Sequence, residues 1–211
     1  MKRLSDKDLS QLFANAQVLG EHKRGPKILL TPEGDILKVF YRRGGLSSDK
    51  LFPYAKRFIR HSQQLHRSGI ETVDITDSYY CPHNKAYILR YPKLPGDDVR
   101  SLVKQQPELL ADVARFVAKL HEKGIFFRAI HLGNLLYHEG KFALLDITDL
   151  SIQRRPLSHW RRVRNLKHLL FYRGDKEYFK AFGIKRFLEI YFEKTSLDTK
   201  QRSKLVDAIT P

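Results

Sequence analysis

Apolar residues recur at helical spacing in several segments of the chain. The clearest segment ends at Gly124, a stop signal, and its five apolar residues share one face: Leu109, Val113, Phe116, Val117 and Leu120. The same spacing predicts helices in "SDKDLSQLFANA", where Ser5 and Asp8 form a capping pattern, and in "SHWRRVRNLKHLLFY", "KRFLEIYFEKTSL" and "TKQRSKLVDAI". Another helix is predicted after Ser47 or Ser48, with Pro53 in an early turn and Gly69 as its stop.

Two further segments predict strand–turn–strand units. One is "KILLTPEGDILKVFYRR", and the other is "VDITDSYYCPHNKAYILRYP", which breaks at Cys81 to Asn84. A turn signal at Pro95-Gly96 follows, and then a helix, a loop, a hairpin and more helices. Because strands and helices do not alternate, we expect a two-lobed α+β fold, with a strand-rich lobe at 1–94, a helical lobe at 95–211 and a cleft near this turn.

Composition excludes a wholly disordered chain and a membrane span. Hydrophobic residues make up 42% of the 211 residues and aromatic residues 11%. No uninterrupted apolar stretch approaches the roughly 20 residues that a spanning helix needs. The single cysteine, Cys81, cannot form an intramolecular disulfide, and no apolar signal segment follows "MKRLSDKDLS". We therefore expect a cytoplasmic protein, with peripheral contact at the inner face of the cytoplasmic membrane as a further expectation.

The charge balance favours an anionic partner. The chain has 39 Lys and Arg against 23 Asp and Glu, for a net charge of +16. Nucleic acid, an anionic membrane surface and a phosphorylated substrate all fit this charge, but no nucleic-acid-binding motif is present, which makes nucleic acid the least favoured partner. Six basic residues crowd one segment: Arg154, Arg155, Arg161, Arg162, Arg164 and Lys167. An alternative is a solvated helix face at Arg161, Arg162 and Arg164, opposite a buried stripe that begins at Trp160.

Three positions form a candidate phosphoryl-transfer site. Lys38 lies in "DILKVFY", where alternation places it between Ile36 and Phe40, and it is either a charge for nucleotide phosphates or an edge-strand lysine with its head in water. Asn134 follows Gly133 in a loop, and Asp146 ends the apolar run "FALLDI". Mg²⁺ prefers sites with one or two carboxylates completed by water and phosphate oxygens. Each residue alone also fits an ordinary turn or strand end, and the combination is what points to phosphoryl transfer.

The ordered set resembles the protein-kinase-like superfamily and, within it, the bacterial lipopolysaccharide core heptose and Kdo kinases. "ILKVF" resembles the ATP-contacting strand, "LRYPKLPGDDVRSL" the hinge, "LHEKGIFFRAIHLGNLL" the helix and catalytic loop, and "FALLDITDL" the strand with the metal-binding Asp. The Arg-rich "DLSIQRRPLSHWRRVRNLKHLLFY" carries the subfamily resemblance. The resemblance implies a two-lobe kinase fold, ATP with Mg²⁺ as cofactors, and an acceptor hydroxyl on a lipopolysaccharide core sugar or another anionic glycan.

The chain departs from this pattern at three places. The region before the first hairpin, "VLGEHKRGPKILL", has Gly20 and Gly25 but no clear glycine-rich loop. Ala129 stands where the catalytic loop of the family has its Asp, and the helix expected to offer a glutamate to Lys38 has no acidic residue, since only Asp49 precedes it. His131 is a candidate replacement base or, as we prefer, a structural histidine, and Arg128 is a candidate contact for an acceptor phosphate. A working kinase and a nucleotide-binding protein without turnover both remain open, with a basic nucleic-acid binder as a weaker alternative.

Overall fold

The computed structural model describes residues 1–42 and 53–210, and it confirms a mixed α+β chain with strands concentrated in the N-terminal part and helices in the C-terminal part. The chain divides into two compact units, Met1–His66 with Thr72–Leu94, and Arg67–Glu71 with Pro95–Pro211. The predicted helix start at Ser47 or Ser48, and Asp49, lie outside the described residues. No helix within the described residues is long and apolar enough to cross a membrane.

Eight α-helices lie in the described part of the chain: α1 Asp6–Phe13, α2 Tyr54–Arg67, α3 Val99–Leu102, α4 Leu109–Glu122, α5 His159–Leu170, α6 Lys176–Phe182, α7 Ile184–Glu193 and α8 Thr199–Ile209. The predicted capping box begins α1, because the Asp8 amide donates to Ser5 Oγ while the Ser5 amide donates to Asp8 Oδ2. Gly124, with a φ of +71°, follows α4 as predicted. The short helices α3 and α6 were not predicted.

The strands over the same described residues are β1 Lys2–Arg3, β2 Gln17–His22, β3 Gly25–Leu30, β4 Asp35–Tyr41, β5 Glu71–Thr72, β6 Asp77–Cys81, β7 Ala86–Pro92, β8 Asp97–Asp98, β9 Ile125–Phe127, β10 Leu135–His138, β11 Lys141–Leu144 and β12 Leu150–Ile152. Both predicted strand–turn–strand units are present, as β3–β4 and β6–β7. The sequence did not predict β2, which pairs antiparallel with β3.

The sheet of the first unit places β4 at its centre. Its order is β1-β6-β7-β4-β3-β2 within the described residues, and all neighbours are antiparallel except β1 and β6. Leu37 and Val39 on one face of β4 join a core cluster with Leu9 of α1. On the other face, Phe40 packs against Phe58 of α2, with ring centroids 5.6 Å apart. Since both faces of the strand are covered, Lys38 is buried as well.

The second unit combines helices with a hairpin and short strand pairs. The predicted hairpin is β10–β11, in register from Leu135 with Leu144 to His138 with Lys141, and β8 pairs with the other edge of β10. The four-stranded sheet has the order β5-β11-β10-β8 as far as the described residues show. Helix α4 packs against α7, and α5 packs against α8 and β9. β9 pairs antiparallel with β12, and this pairing flanks the loop that holds the candidate site.

A buried polar network supports that loop from inside the second unit. Asn165 donates from Nδ2 to the Phe127 carbonyl at 2.7 Å, so its Oδ1 faces His121 Nε2 at 2.9 Å. His121 Nε2 therefore carries the hydrogen, and His121 Nδ1 accepts from the Tyr191 hydroxyl at 2.8 Å. Burial lowers the pKa of His121 to about 3 and raises the pKa of Tyr191 to about 12. Both side chains are neutral at physiological pH, and each polar atom has a partner.

The same network buries an arginine of the predicted basic segment. Arg162 is 1% exposed, and it donates to Glu122 Oε1 and to the Tyr191 hydroxyl at 2.7 Å each, and to the Leu157 carbonyl at 2.9 Å. Trp160, in contrast, is 61% exposed. The alternative of a solvated face containing Arg162 opposite a buried stripe from Trp160 is therefore wrong, because distant polar partners turn Arg162 inward and leave Trp160 outside.

Candidate functional site

The candidate loop runs from Arg128 to Asn134 between two short elements. β9 ends at Phe127, and the Ile130 amide donates back to the Phe127 carbonyl at 3.1 Å, which closes a turn around Arg128 and Ala129. The Arg128 amide donates to the Asp149 carbonyl at 3.1 Å. A single 3-10 turn, Leu132–Asn134, then leads into β10. Backbone hydrogen bonds thus fix both ends of the loop.

Asn134 is oriented by the main chain on both sides. Its Nδ2 donates to the Ala129 carbonyl at 2.9 Å, and because a carbonyl only accepts, the amide nitrogen must face Ala129. Its own carbonyl accepts from the Leu145 amide at 2.9 Å, which ties the loop to the residue before Asp146. The side-chain oxygen of Asn134 is therefore held in one orientation, as a metal ligand requires.

Asp146 follows β11 with a left-handed backbone. Its φ is +47°, a conformation that costs most residues energy and that Asp and Asn tolerate better than other side chains. The Thr148 hydroxyl lies 3.4 Å from Asp146 Oδ1, and the residue is half-buried. A group of three or more His, Cys, Asp and Glu ligands is not found among the described residues. Asn134 and Asp146 supply two oxygen donors, and such a pair fits Mg²⁺ when phosphate oxygens and water complete the shell.

His131 is held by an arginine and an aromatic ring. Arg100 Nη2 lies 3.2 Å from His131 Nδ1, and the imidazole stacks on Tyr172 with centroids 4.5 Å apart and planes at 17°. Burial, and next the positive charge of Arg100, lower the pKa of His131. The histidine is placed in the loop as predicted, and these contacts are those of a packed, neutral ring.

Asp175 is a site-supporting residue that the sequence interpretation missed. Its carboxylate is fully buried, accepts from Arg100 Nε at 2.5 Å, and accepts from the Leu132 amide at 2.8 Å. It thereby joins the loop backbone to the arginine that holds His131. The available signal was weak: Asp175 is the first acidic residue after Asp149 in a long basic stretch.

Lys38 lies on the central strand of the first unit. It is 4% exposed, and its register pairs it with Ile28 of β3 and Leu89 of β7. The edge-strand alternative is wrong, because β4 has a hydrogen-bonded neighbour on each side. The Lys38 ammonium lies 5.1 Å from the Phe58 ring centroid, on a helix whose described residues include no carboxylate. The described residues of α2 thus place an aromatic ring beside Lys38 and include no glutamate, which the family resemblance led us to expect on this helix.

A basic cleft of about 630 Å³ opens beside Arg128 in the second unit. Its wall residues come from β9 and the residue after it, from the residue before β12, from α5 and from the segment after α5: Phe126, Arg128, Asp149, Arg164, Asn165, Lys167, His168, Phe171, Tyr172 and Arg173. Arg128 Nη1 lies 3.5 Å from Asp149 Oδ1, and both side chains are at least half exposed. No carboxylate of the described residues pairs with Arg164, Lys167 or Arg173. The cleft therefore has a surplus of positive charge.

The predicted basic segment separates into four environments. Arg154 and Arg155 are exposed ahead of α5, and Arg164 and Lys167 line the cleft. Arg161 instead donates to Gln153 Oε1 at 2.8 Å and lies 5.7 Å from the Phe126 ring centroid, while Arg162 belongs to the core. The positive charge available to a ligand is thus smaller than the sequence count implied, because Arg162 is buried in the core.

No protein-family model matches this chain, and a search of curated proteins finds no relative. The geometry of the loop, of Lys38 and of the cleft is therefore what supports a functional assignment.

Proposed function

We propose that the protein is an ATP-dependent phosphotransferase of the protein-kinase-like superfamily, acting on a lipopolysaccharide core sugar or a related anionic glycan. The observation that carries the proposal is the double attachment of Asn134. Its side-chain nitrogen donates to the Ala129 carbonyl, and its main-chain carbonyl accepts from the amide of Leu145, the residue before Asp146. These two hydrogen bonds orient the side-chain oxygen of Asn134 and connect its backbone to the residue next to Asp146. Phosphoryl transfer depends mainly on positioning and charge neutralisation, which a fixed pair of oxygen ligands serves.

The proposal gives each residue one role. Asn134 and Asp146 hold Mg²⁺, which neutralises phosphate charge when it is bound with ATP. Lys38, a buried ammonium on a rigid central strand, contacts nucleotide phosphates. Arg128 contacts an anionic group of the acceptor at the rim of the cleft, and His131 positions the loop. The positive surplus of the cleft supports an anionic acceptor over a neutral one.

A second function is favoured by Ala129. The loop from Arg128 to Asn134 contains no carboxylate, and His131 is held as a neutral ring, so the site has no evident base. A protein that binds ATP with Mg²⁺ and does not transfer phosphate fits the same residues. A base typically contributes about 10²–10⁴-fold, and transfer without one is slow but not abolished.

Calorimetry of ATP binding with and without Mg²⁺ tests both functions. We expect Mg²⁺-dependent binding that Asp146→Asn weakens by about 10-fold or more, because Asn tolerates the left-handed backbone but lacks the charge. The matched control is Asp149→Asn, an exposed carboxylate three residues later, which should leave the affinity unchanged. Absence of nucleotide binding with both Mg²⁺ and Mn²⁺ would reject both functions.

A lysine pair and a transfer assay complete the test. Lys38→Met should weaken ATP binding by about 10-fold, whereas Lys27→Met, at an exposed position of the neighbouring strand, should not change it. Radiolabelled transfer from ATP to lipopolysaccharide core fragments then separates the two functions. Transfer that exceeds the Asp146→Asn background identifies a kinase, and binding with no transfer identifies the nucleotide-binding protein.

A further inference from the structure

We propose that the exposed face of α5 docks this protein on an anionic lipid bilayer. The α5 face consists of Trp160, Arg164, Lys167, His168 and Phe171, which follow one another at helical spacing. The residues turned inward on the same helix are Arg162, Asn165, Leu166, Leu169 and Leu170. Four residues of the face also line the basic cleft: Arg164, Lys167, His168 and Phe171. Asn134 and Asp146 are not among the lining residues, so the inference does not depend on ATP binding or phosphate transfer.

Two large aromatic side chains mark the ends of this face. Trp160 is 61% exposed and Phe171, directly after the helix, is 46% exposed, although both are side chains that proteins usually cover. They are eleven positions apart in the sequence, which corresponds to about 16 Å along a helix. Aromatic rings on helices that lie at a membrane interface enter the headgroup region, where their apolar bodies leave water.

The charges between the two rings are all positive. Helix α5 contains no acidic residue, and Arg164 and Lys167 have no carboxylate partner among the described residues. The Arg164 guanidinium lies 5.3 Å from the Trp160 ring centroid, which places a cation beside the anchor. Exposed Arg154 and Arg155 precede the helix. Such a row complements anionic headgroups, which attract each nearby Lys or Arg by about 1 kcal/mol.

The spacing of the rings favours a bilayer over nucleic acid. Single-stranded nucleic acid is bound by rings that stack on successive bases, and those rings lie close together. Here the two rings are three helical turns apart, and Arg164 already covers part of the Trp160 ring. The α5 face has an aromatic ring at each end of a basic row, and the leucines of the helix are buried on its other side. This arrangement is typical of a helix that lies at a membrane surface.

Trp160 is the single tryptophan of the chain, so its fluorescence reports on this face alone. We expect a blue shift with phosphatidylcholine vesicles that contain phosphatidylglycerol and none with pure phosphatidylcholine. Lipids brominated near the headgroup end of the acyl chain should quench the emission, and added salt should weaken the binding. Trp160 is not among the residues that line the cleft, so the quenching distinguishes insertion of Trp160 from binding of a soluble anion in the cleft.

Charge-neutral variants provide the decisive comparison. Arg164→Gln with Lys167→Gln should lower vesicle partitioning by about 30-fold. The control is Lys200→Gln with Lys204→Gln, an exposed pair on α8 that removes the same charge and should change partitioning much less. Equal losses in the two double variants, or emission that brominated lipids do not quench, would overturn the proposal. Tighter binding to a short single-stranded DNA than to anionic vesicles would overturn it in favour of nucleic acid.

Discussion

Arg100 donates a hydrogen bond to Nδ1 of His131, and this contact uses the only lone pair on the imidazole ring. Arginine has donors and no acceptor, so Nδ1 must be the unprotonated nitrogen and Nε2 must carry the hydrogen. A base needs a free lone pair within reach of the proton that it removes. As long as Arg100 stays in place, His131 is better suited to hold the loop than to accept a proton.

Substitutions at Ala129 and His131 should therefore have unequal effects. We expect Ala129→Asp to raise ATP turnover by about 100-fold, because it supplies a carboxylate at the position that lacks one. His131→Asn, which keeps an acceptor for Arg100, should change turnover by less than about 10-fold. Steady-state phosphate release measured over a range of pH checks both variants. A 100-fold loss in His131→Asn, with loss of a titrating group from its pH profile, would identify His131 as the base instead.

Neutralising Asp175 should destabilise the protein. Asp175→Asn leaves Arg100 without its buried ionic partner and weakens the acceptor of the Leu132 amide, so we expect a loss of about 3 kcal/mol in the free energy of unfolding. Urea denaturation measures this loss. Glu108→Gln is the control, since its ion pair with Arg186 is exposed and should contribute less than about 1 kcal/mol. Similar losses in both variants would contradict the role given to Asp175.

The free energy of unfolding should fall as the solution is acidified below neutral pH. The folded-state pKa of His121, about 3, lies below its ordinary value of 6.5, so the unfolded chain binds the proton first as pH falls. Between pH 7 and pH 5 this residue should cost about 2 kcal/mol of stability. His121→Gln removes the titrating group, and its stability should fall by correspondingly less over the same interval. Urea denaturation at both pH values measures this loss for the two proteins. Equal losses of unfolding free energy between pH 7 and pH 5 would contradict this assignment.

Gly124 should tolerate a methyl group less well than another glycine with the same backbone conformation. Both Gly124 and Gly69 have φ in the left-handed region, at +71° and +64°, but a Cβ at Gly124 would meet the carbonyls of Gln153 and Arg155, while one at Gly69 meets nothing within 4 Å. Gly69→Ala should cost about 1 kcal/mol and Gly124→Ala about 2 kcal/mol more. Thermal unfolding of the two variants measures this difference. Equal decreases in melting temperature would show that the chain at Gln153 and Arg155 moves to make room for the methyl group.

Features that depend on neighbouring residues were predictable from the sequence. The capping box at Ser5, the turn before β4, the glycine that follows α4 and the β10–β11 hairpin each follow from local spacing. The structure confirms the α+β order of elements. The kinase-like architecture is a more specific statement and remains a prediction. Local patterns placed Lys38 in a strand, Asn134 in a turn and Asp146 at a strand end, and their combination along the chain is what selected them.

Features that depend on distant partners were not predictable. Arg162 is turned inward by Glu122 and Tyr191, which are 40 and 29 residues away. The helical pattern alone predicted that Trp160 is buried and Arg162 exposed, and the structure shows the reverse. Asp175 was missed for the same reason, since its partner Arg100 lies 75 residues earlier. β2 was missed because its exposed, mixed sequence lacks the alternation of a half-buried strand.

The hydrogen bond between Asn134 and Ala129 has a consequence for substitution. Asn134 is held by the carbonyl at position 129, a group that every amino acid supplies, and not by the side chain there. The identity of residue 129 can therefore change without releasing Asn134. In this loop, the side chain at position 129 and the orientation of the Asn134 side-chain oxygen are independent properties, and one can change while the other persists.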